Sequence, residues 1–218
     1  MFQRFQSLTR FSHDWTITEK IDGTNACIII DPMASADDAP YRDQVIAEIP
    51  GAIHGEFPLY VLAQSRNNLI TPAKDNAGFA NWVANNAAEL VEILGVGRHF
   101  GEWCGAGIQR RYGLNIKKFA LFNTHRWRDL AGHADGGLIG GQLTVVPVLA
   151  EGYMDNPGAA AMGAMSMMKL NGSVFAPGFM DPEGVVMRHN PSGTVFKKTF
   201  DYDEQGKWAE NQARKNSA

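Results

Sequence analysis

The run Glu19-Lys20-Ile21-Asp22-Gly23-Thr24-Asn25 sets an amine, a carboxylate and a turn-forming glycine within a few residues of one another. An ordinary lysine amine has a reference pKa of ~10.4, so only about one molecule in a few thousand is unprotonated at neutral pH. Nucleophilic chemistry at such an amine needs a local cation or desolvation. A carboxylate at Asp22 would work against this unless it holds a divalent cation. Magnesium is therefore expected here, with Asp22 as a direct or water-mediated ligand. Taken alone, Lys-x-Asp-Gly fits a surface turn better than a reactive site, so its company must decide.

The segments that would position these groups are legible as periodicities. Residues 15–20 alternate apolar and polar, as a half-buried strand does, and place Lys20 at the strand end. Asp22-Gly23 predicts a tight turn and Ala26–Ile30 a returning buried strand. Residues 32–57, rich in Pro, Ala, Asp and Gly, read as an excursion or loop, and Leu59–Ala63 as a strand ending at Gln64-Ser65-Arg66-Asn67. Phe79, Trp82, Val83, Leu90, Val91 and Leu94 share one face of a helix predicted from about 76 to a stop at Gly95. Strands are predicted near 98–103, 117–123, 143–149, 184–188 and 194–200. A second helix is predicted from Asn156-Pro157, an N-cap followed by Pro at the first helical position, to about Leu170. Met162, Met165 and Met168 are expected to form its packing stripe. The order is mostly strands with two isolated helices, which predicts an α+β class with antiparallel sheets rather than a doubly wound one.

Composition bounds the function. The 218 residues suit one sizeable domain, or one domain with a small appendage, and 44% apolar with 20% charged residues is ordinary for a globular enzyme. A net charge of −3 means that a polynucleotide would need a local basic patch. Candidate pieces are Arg110-Arg111, Lys117-Lys118, Arg126 with Arg128, and the tail Lys207, Arg214 and Lys215, each equally well read as solvated surface charge. Two cysteines without a Cys-x-x-Cys give neither a disulfide framework nor a zinc site. The six histidines lack ligand spacing, so any metal is a hard, oxygen-bound one. No stretch is apolar enough to span a bilayer and the N-terminus lacks a signal-peptide core, so a cytoplasmic location is expected. The glycines of Gly95–Gly101 are one residue too widely spaced for a dinucleotide fingerprint. Neither they nor Gly136-Gly137 and Gly140-Gly141 bring a P-loop lysine.

The series of motifs along the chain resembles the covalent nucleotidyltransferase superfamily of ATP-dependent ligases and capping enzymes, and within it the RNA ligase family of bacteriophages and some bacteria. Lys20–Asn25 looks like motif I, Ser65-Arg66-Asn67 like motif Ia, and Gly101-Glu102-Trp103-Cys104-Gly105 like motif III. Phe119-Ala120-Leu121-Phe122 looks like motif IIIa, Glu183–Arg188 like motif IV, and Val195-Phe196-Lys197-Lys198 like motif V. The likeness runs from about residue 15 to 207. It implies an ATP-grasp-like adenylation fold and a set of roles. Lys20 would carry AMP covalently, and Glu19, Ile21 and Asn25 would contact the nucleotide by their place in the same motif. Arg66 would meet the AMP phosphate or the polynucleotide end, Glu102 the ribose hydroxyls, and Phe122 the adenine face. Glu183 would hold the lysine and, with Asp22 and Glu102, the metal. A motif V lysine would neutralise the α-phosphate as pyrophosphate leaves.

Motif V departs from the family pattern of two lysines separated by one residue. Adjacent residues of a strand face opposite ways, so Val195, Lys197 and Thr199 share one side and Phe196, Lys198 and Phe200 the other. The apolar companions of Lys198 favour Lys197 for the site. About twenty residues follow this motif, so neither an oligonucleotide-binding barrel nor a helical C-terminal domain is expected. The leading expectation is an ATP-dependent RNA ligase joining 5′-phosphate and 3′-hydroxyl ends through lysyl-AMP and an adenylylated 5′ end, with magnesium. The alternatives are a minimal DNA ligase, a polynucleotide 5′-adenylyltransferase, or a degenerate binding module without turnover.

Overall fold

The computed structural model describes residues 14–33, 41–50, 57–131, 138–153 and 156–201. In chain order it begins with β1 (Trp15–Lys20), β2 (Thr24–Pro32), β3 (Ala47–Ile49), β4 (Leu59–Ser65) and β5 (Leu69–Ile70). Two helices follow, α1 (Phe79–Asn85) and α2 (Ala87–Leu94), then β6 (Gly97–Gly105) and β7 (Lys117–Leu121). The short α3 (Arg128–Ala131) precedes β8 (Leu143–Val145) and β9 (Val148–Gly152). Next come α4 (Pro157–Asn171), β10 (Gly184–His189) and β11 (Val195–Thr199). The chain divides into two compact units, one holding residues 1–20 with 148–218 and the other Ile21–Pro147.

The first unit is an antiparallel sheet in the order β11-β10-β1-β9. Trp15 and Ile17 of β1 and Val185 of β10 meet Ala161, Met165 and Met168 of α4 in one apolar cluster. The helix starts where its sequence says it should: Asn156 Oδ1 accepts from the N–H groups of Gly158 and Ala159, and Pro157 fills the first helical position. The buried stripe is Ala161-Met165-Met168, spaced by four and three, and Met162 stands half exposed beside it. The expected stripe thus loses one member, because spacing by three at every step drifts off the helix face. Gly184 has a φ of 150°, and a Cβ there would collide with the carbonyl oxygen of Lys198.

The second unit is a sheet in the order β3-β4-β2-β6-β7-β8, with β5 paired to β4. Ala26, Ile28 and Ile30 alternate with Asn25, Cys27 and Ile29 along β2. The first set packs with Val61, Ala63 and the inward residues of α1 and α2. Phe79, Trp82, Trp103 and Phe119 interlock there with ring centroids 5.1 to 6.0 Å apart. Asp75 anchors α1 by accepting from the N–H of Ala80 at 2.7 Å and of Asn81 at 3.1 Å.

The class is α+β with antiparallel-dominated sheets, as expected; β7 and β8 form a parallel pair, joined by the long 122–142 connection. Four expectations change. The hairpin across Asp22-Gly23 does not form: β1 pairs with β9 and β10, while β2 pairs with β4 and β6. The strand expected over 143–149 is two strands in different sheets, separated at Val146-Pro147, where proline has no N–H for a ladder. The helix expected over 76–95 is two helices, broken at Asn86, whose Nδ2 donates to the Trp82 carbonyl. Residues 47–49, expected in a loop, form β3 against β4. The tail Lys207, Arg214 and Lys215, the N-terminal residues 1–13 and Gly136-Gly137 lie outside the described residues.

Candidate functional site

In the first unit, pairing between β1 and β10 brings Lys20 opposite Gly184. The residue before Gly184 is Glu183, whose carbonyl accepts from Phe200 N–H at 3.0 Å, fixing the main chain just outside β10. Its Oε2 lies 2.5 Å from Lys20 Nζ, and the two side chains keep 17% and 21% of their surface exposed. A charge-assisted contact of this length orients an amine.

The same register sorts the remaining candidates by face. Rows across the sheet run Lys20–Gly184–Thr199, Thr18–Val186–Lys197 and Thr16–Arg188–Val195. Paired residues point the same way, so Lys197, Thr199 and Arg188 share the face of Lys20. Lys198 sits opposite Val185 on the face that α4 covers, and it is less exposed than Lys197. Arg188 belongs to this face although no role was expected of it; alternation from Gly184 was the available signal.

Glu19 faces the α4 side and is 1% exposed. Its Oε1 accepts from Ser173 Oγ at 2.5 Å, and its Oε2 from the N–H groups of Val174 and Phe175 at 2.8 and 2.9 Å. Burial raises its carboxyl above the usual carboxylate range, against the opposing pull of these three donors. The side chain ties down the segment after α4 rather than standing on the face of Lys20.

In the second unit, Asn25 pairs with Glu102 and Glu102 with Ala120. This row lies on the face opposite the aromatic core. Phe119 and Leu121 are buried in that core, whereas Phe122 is 40% exposed on the Glu102 side. Phe122 N–H donates to the Phe100 carbonyl, and Phe100, which sequence reasoning passed over, is 44% exposed beside it. Arg66 is exposed in the turn after β4, where Ser65 and Asn68 close the backbone. Ile21 is buried.

Asp22 has two partners from the loop between β6 and β7. Its N–H donates to Tyr112 Oη at 2.7 Å, and its Oδ2 lies 3.4 Å from Arg110 Nε. That arginine contact is an ion pair without hydrogen-bond alignment at Nε. Gly23 packs so closely on β6 that a Cβ would collide with the Trp103 carbonyl oxygen. Among the described residues no three His, Cys, Asp or Glu side chains gather as a metal set.

Several of the candidate basic residues have local structural work. Lys117 Nζ donates to the Ala77 carbonyl, and Arg126 donates to the Leu94 carbonyl while its guanidinium lies 4.6 Å from the Trp127 ring. Both cysteines are fully buried. Burial pushes the Cys27 thiol up to about 11, and burial with the neighbouring Glu102 charge pushes Cys104 higher still.

Residues 13–200 match a family model described as RNA ligase. A search of curated sequences finds no match. Among solved structures, a Naegleria gruberi RNA ligase mutant with AMP and manganese aligns at a TM-score of 0.55 and 16% identity, covering 91% of this chain and 52% of that one. A mutant with ATP and manganese gives 0.54 and 17%, over 91% and 52%. The same ligase with pyrophosphate gives 0.52 and 17%, over 93% and 52%. At these identities the likeness is one of fold, and the chain spans about half the length of these structures.

Proposed function

The chain belongs to the RNA ligase family, and from that premise we propose that it is an ATP-dependent polynucleotide ligase in which Lys20 accepts AMP. In the first step the Lys20 amine attacks the α-phosphorus of ATP, a P–N bond forms, and the bond to pyrophosphate breaks. AMP then passes to a 5′-phosphate end, and a 3′-hydroxyl displaces it to give a phosphodiester. RNA ends with 5′-phosphate and 3′-hydroxyl are the proposed substrates, and the cytoplasm the proposed place of action. The reading of the whole chain as one ATP-grasp-like adenylation domain is part of this proposal.

The observation that carries it is the contact between Lys20 and Glu183. A protonated amine cannot attack; Glu183 holds and orients it, and because a carboxylate alone favours the charged form, loss of the proton depends on a cation brought with the nucleotide. Lys197, on the same face, supplies positive charge where pyrophosphate departure builds negative charge. Glu102 and Asn25 are assigned to ribose and base, Phe122 to stacking on adenine, Arg66 to phosphate or the polynucleotide end, and Ile21 and Glu19 to main-chain contact beside the lysine.

A divalent ion has no ready protein cage here, because Asp22 is engaged by Arg110 and Glu183 by Lys20. Magnesium is ordinarily held by one or two carboxylates with substrate phosphates and water, and that mode fits. Asp22, Glu102 and Glu183 are each proposed as single ligands, direct or through water, to magnesium arriving with the nucleotide. When bound, the ion neutralises phosphate charge.

The test is incubation with α-labelled ATP and magnesium, followed by denaturing electrophoresis. Label on wild type and none on Lys20→Ala is expected. Equal label on both, or none on a wild type shown by mass to be free of AMP, would overturn the proposal.

A further inference from the structure

The loop between β6 and β7 is built to hold one place in the chain. Gln109, Arg111 and Tyr112 have φ values of 44°, 59° and 53°, in the left-handed region that non-glycine residues rarely adopt. Such conformations persist where surrounding contacts over-determine them. Here those contacts are local and numerous. Ile108 N–H donates to the Gly105 carbonyl, Arg111 N–H to Ile108, and Leu114 N–H to Arg111, at 2.9, 2.9 and 3.0 Å. Ile108 is buried in the core of the unit and Tyr112 is nearly inaccessible.

The two side chains that this loop directs at motif I are Tyr112, through its hydroxyl to Asp22 N–H, and Arg110, through its guanidinium to the Asp22 carboxylate. Gly23 is held against β6 by the close approach at the Trp103 carbonyl. The backbone and side chain of Asp22 are therefore gripped separately, two residues after the nucleophile. Resting on the ligation reading above, we propose that Tyr112 and Arg110 are positioning residues for motif I. Tyr112 fixes the main chain at Asp22, and Arg110 sets the direction and charge balance of its carboxylate. Neither residue touches the reacting atoms.

Two readouts separate this role from general stabilisation. The first is amide hydrogen exchange at Asp22 in the wild type and in Tyr112→Phe, which removes only the acceptor oxygen. Exchange at Asp22 is expected to speed up about tenfold, with the core strands unchanged. The second is single-turnover transfer of label to Lys20. Tyr112→Phe is expected to slow the step about tenfold at saturating ATP, leaving the half-saturating ATP concentration within about twofold. Arg110→Ala should show the same split, and Arg110→Lys should recover most of the rate.

Unchanged exchange at Asp22 together with an unchanged rate in Tyr112→Phe would overturn the proposal. If Tyr112→Phe does not fold, the arginine pair decides: loss in Arg110→Ala restored by Arg110→Lys supports it, and equal rates in all three proteins overturn it. A wild type that never acquires Lys20-dependent label would defeat the ligation reading alone, and Asp22 exchange would still decide the positioning.

Discussion

Lys197 stands on the same face of its sheet as Lys20, one row along, whereas Lys198 lies on the face occupied by Glu19 and α4. Two adjacent lysines are thus assigned different surroundings by strand alternation alone. Lys197→Ala is expected to lower the rate of label transfer to Lys20 by about 100-fold or more, as loss of a charge-stabilising group does. Lys198→Ala is expected to stay within about threefold of wild type, its effect being on stability. Comparable losses in both variants would remove the assignment.

Glu183→Gln keeps a side chain of the same shape beside Lys20 and removes its charge. Label transfer at saturating ATP is expected to fall about tenfold to 100-fold, with little change in melting temperature because the contact is partly exposed. A rapid-quench time course of lysyl-AMP formation measures it, and an undiminished rate would show that the carboxylate does not prepare the amine.

Phe119 and Phe122 belong to one sequence motif and should separate cleanly in experiment. Phe119→Ala empties a place in the interlocked aromatic core and is expected to cost about 3–5 kcal/mol of unfolding free energy. Phe122→Ala removes an exposed ring, so stability should hold within about 1 kcal/mol while the ATP concentration for half-maximal label rises. Denaturant titration and label saturation curves test the two halves.

How these residues divide shows which information is local. Alternation along 15–20 and 195–199 and the apolar run at 26–30 are properties of the residues themselves, so the strand positions and the two faces of 195–199 were legible. The N-cap at Asn156 and the stop at Gly95 were legible for the same reason. Partner choice is not local. Asp22-Gly23 has hairpin chemistry, yet Thr24 to Ile30 pairs with β4 and β6, which lie far along the chain. Asn86 breaks its helix through a bond to Trp82 that no periodicity announces. The grip of Arg110 and Tyr112 on Asp22 spans about ninety residues and depends on loop dihedrals, so composition reduced Arg110 to one more surface cation.

Glu19 gives a pH signature. Its folded carboxyl is raised by burial, so in the folded chain it stays protonated to higher pH than in the unfolded chain. Its contribution is therefore full below the ordinary carboxylate value and is lost as pH rises through the folded value. Glu19→Gln removes this titration while retaining acceptors and donors for Ser173, Val174 and Phe175. Wild-type stability relative to Glu19→Gln should be greater near pH 4 than near pH 7. The difference also cancels the buried His99, whose pKa desolvation lowers and whose contribution is lost as pH falls. Glu19→Ala, leaving three donors unmatched, should cost about 3 kcal/mol. Equal differences at both pH values would contradict the assignment.

The two thiols should be inert in the native state. With Cys27 and Cys104 fully buried and both held protonated, a thiol-reactive chromogen is expected to report no fast reaction before denaturation and two thiols after it. A fast native thiol would place one of them at an accessible surface.

Gly184 carries a consequence for how the sheet could change. Any side chain there meets the backbone of Lys198 and Thr199, so a larger residue must part β11 from β10 or slide one past the other. A slide of one residue turns every side chain of a strand over. It would present Lys198 beside Lys20 and bury Lys197 under α4. A missing atom therefore acts as a registration mark, deciding which of two chemically identical lysines is shown to Lys20.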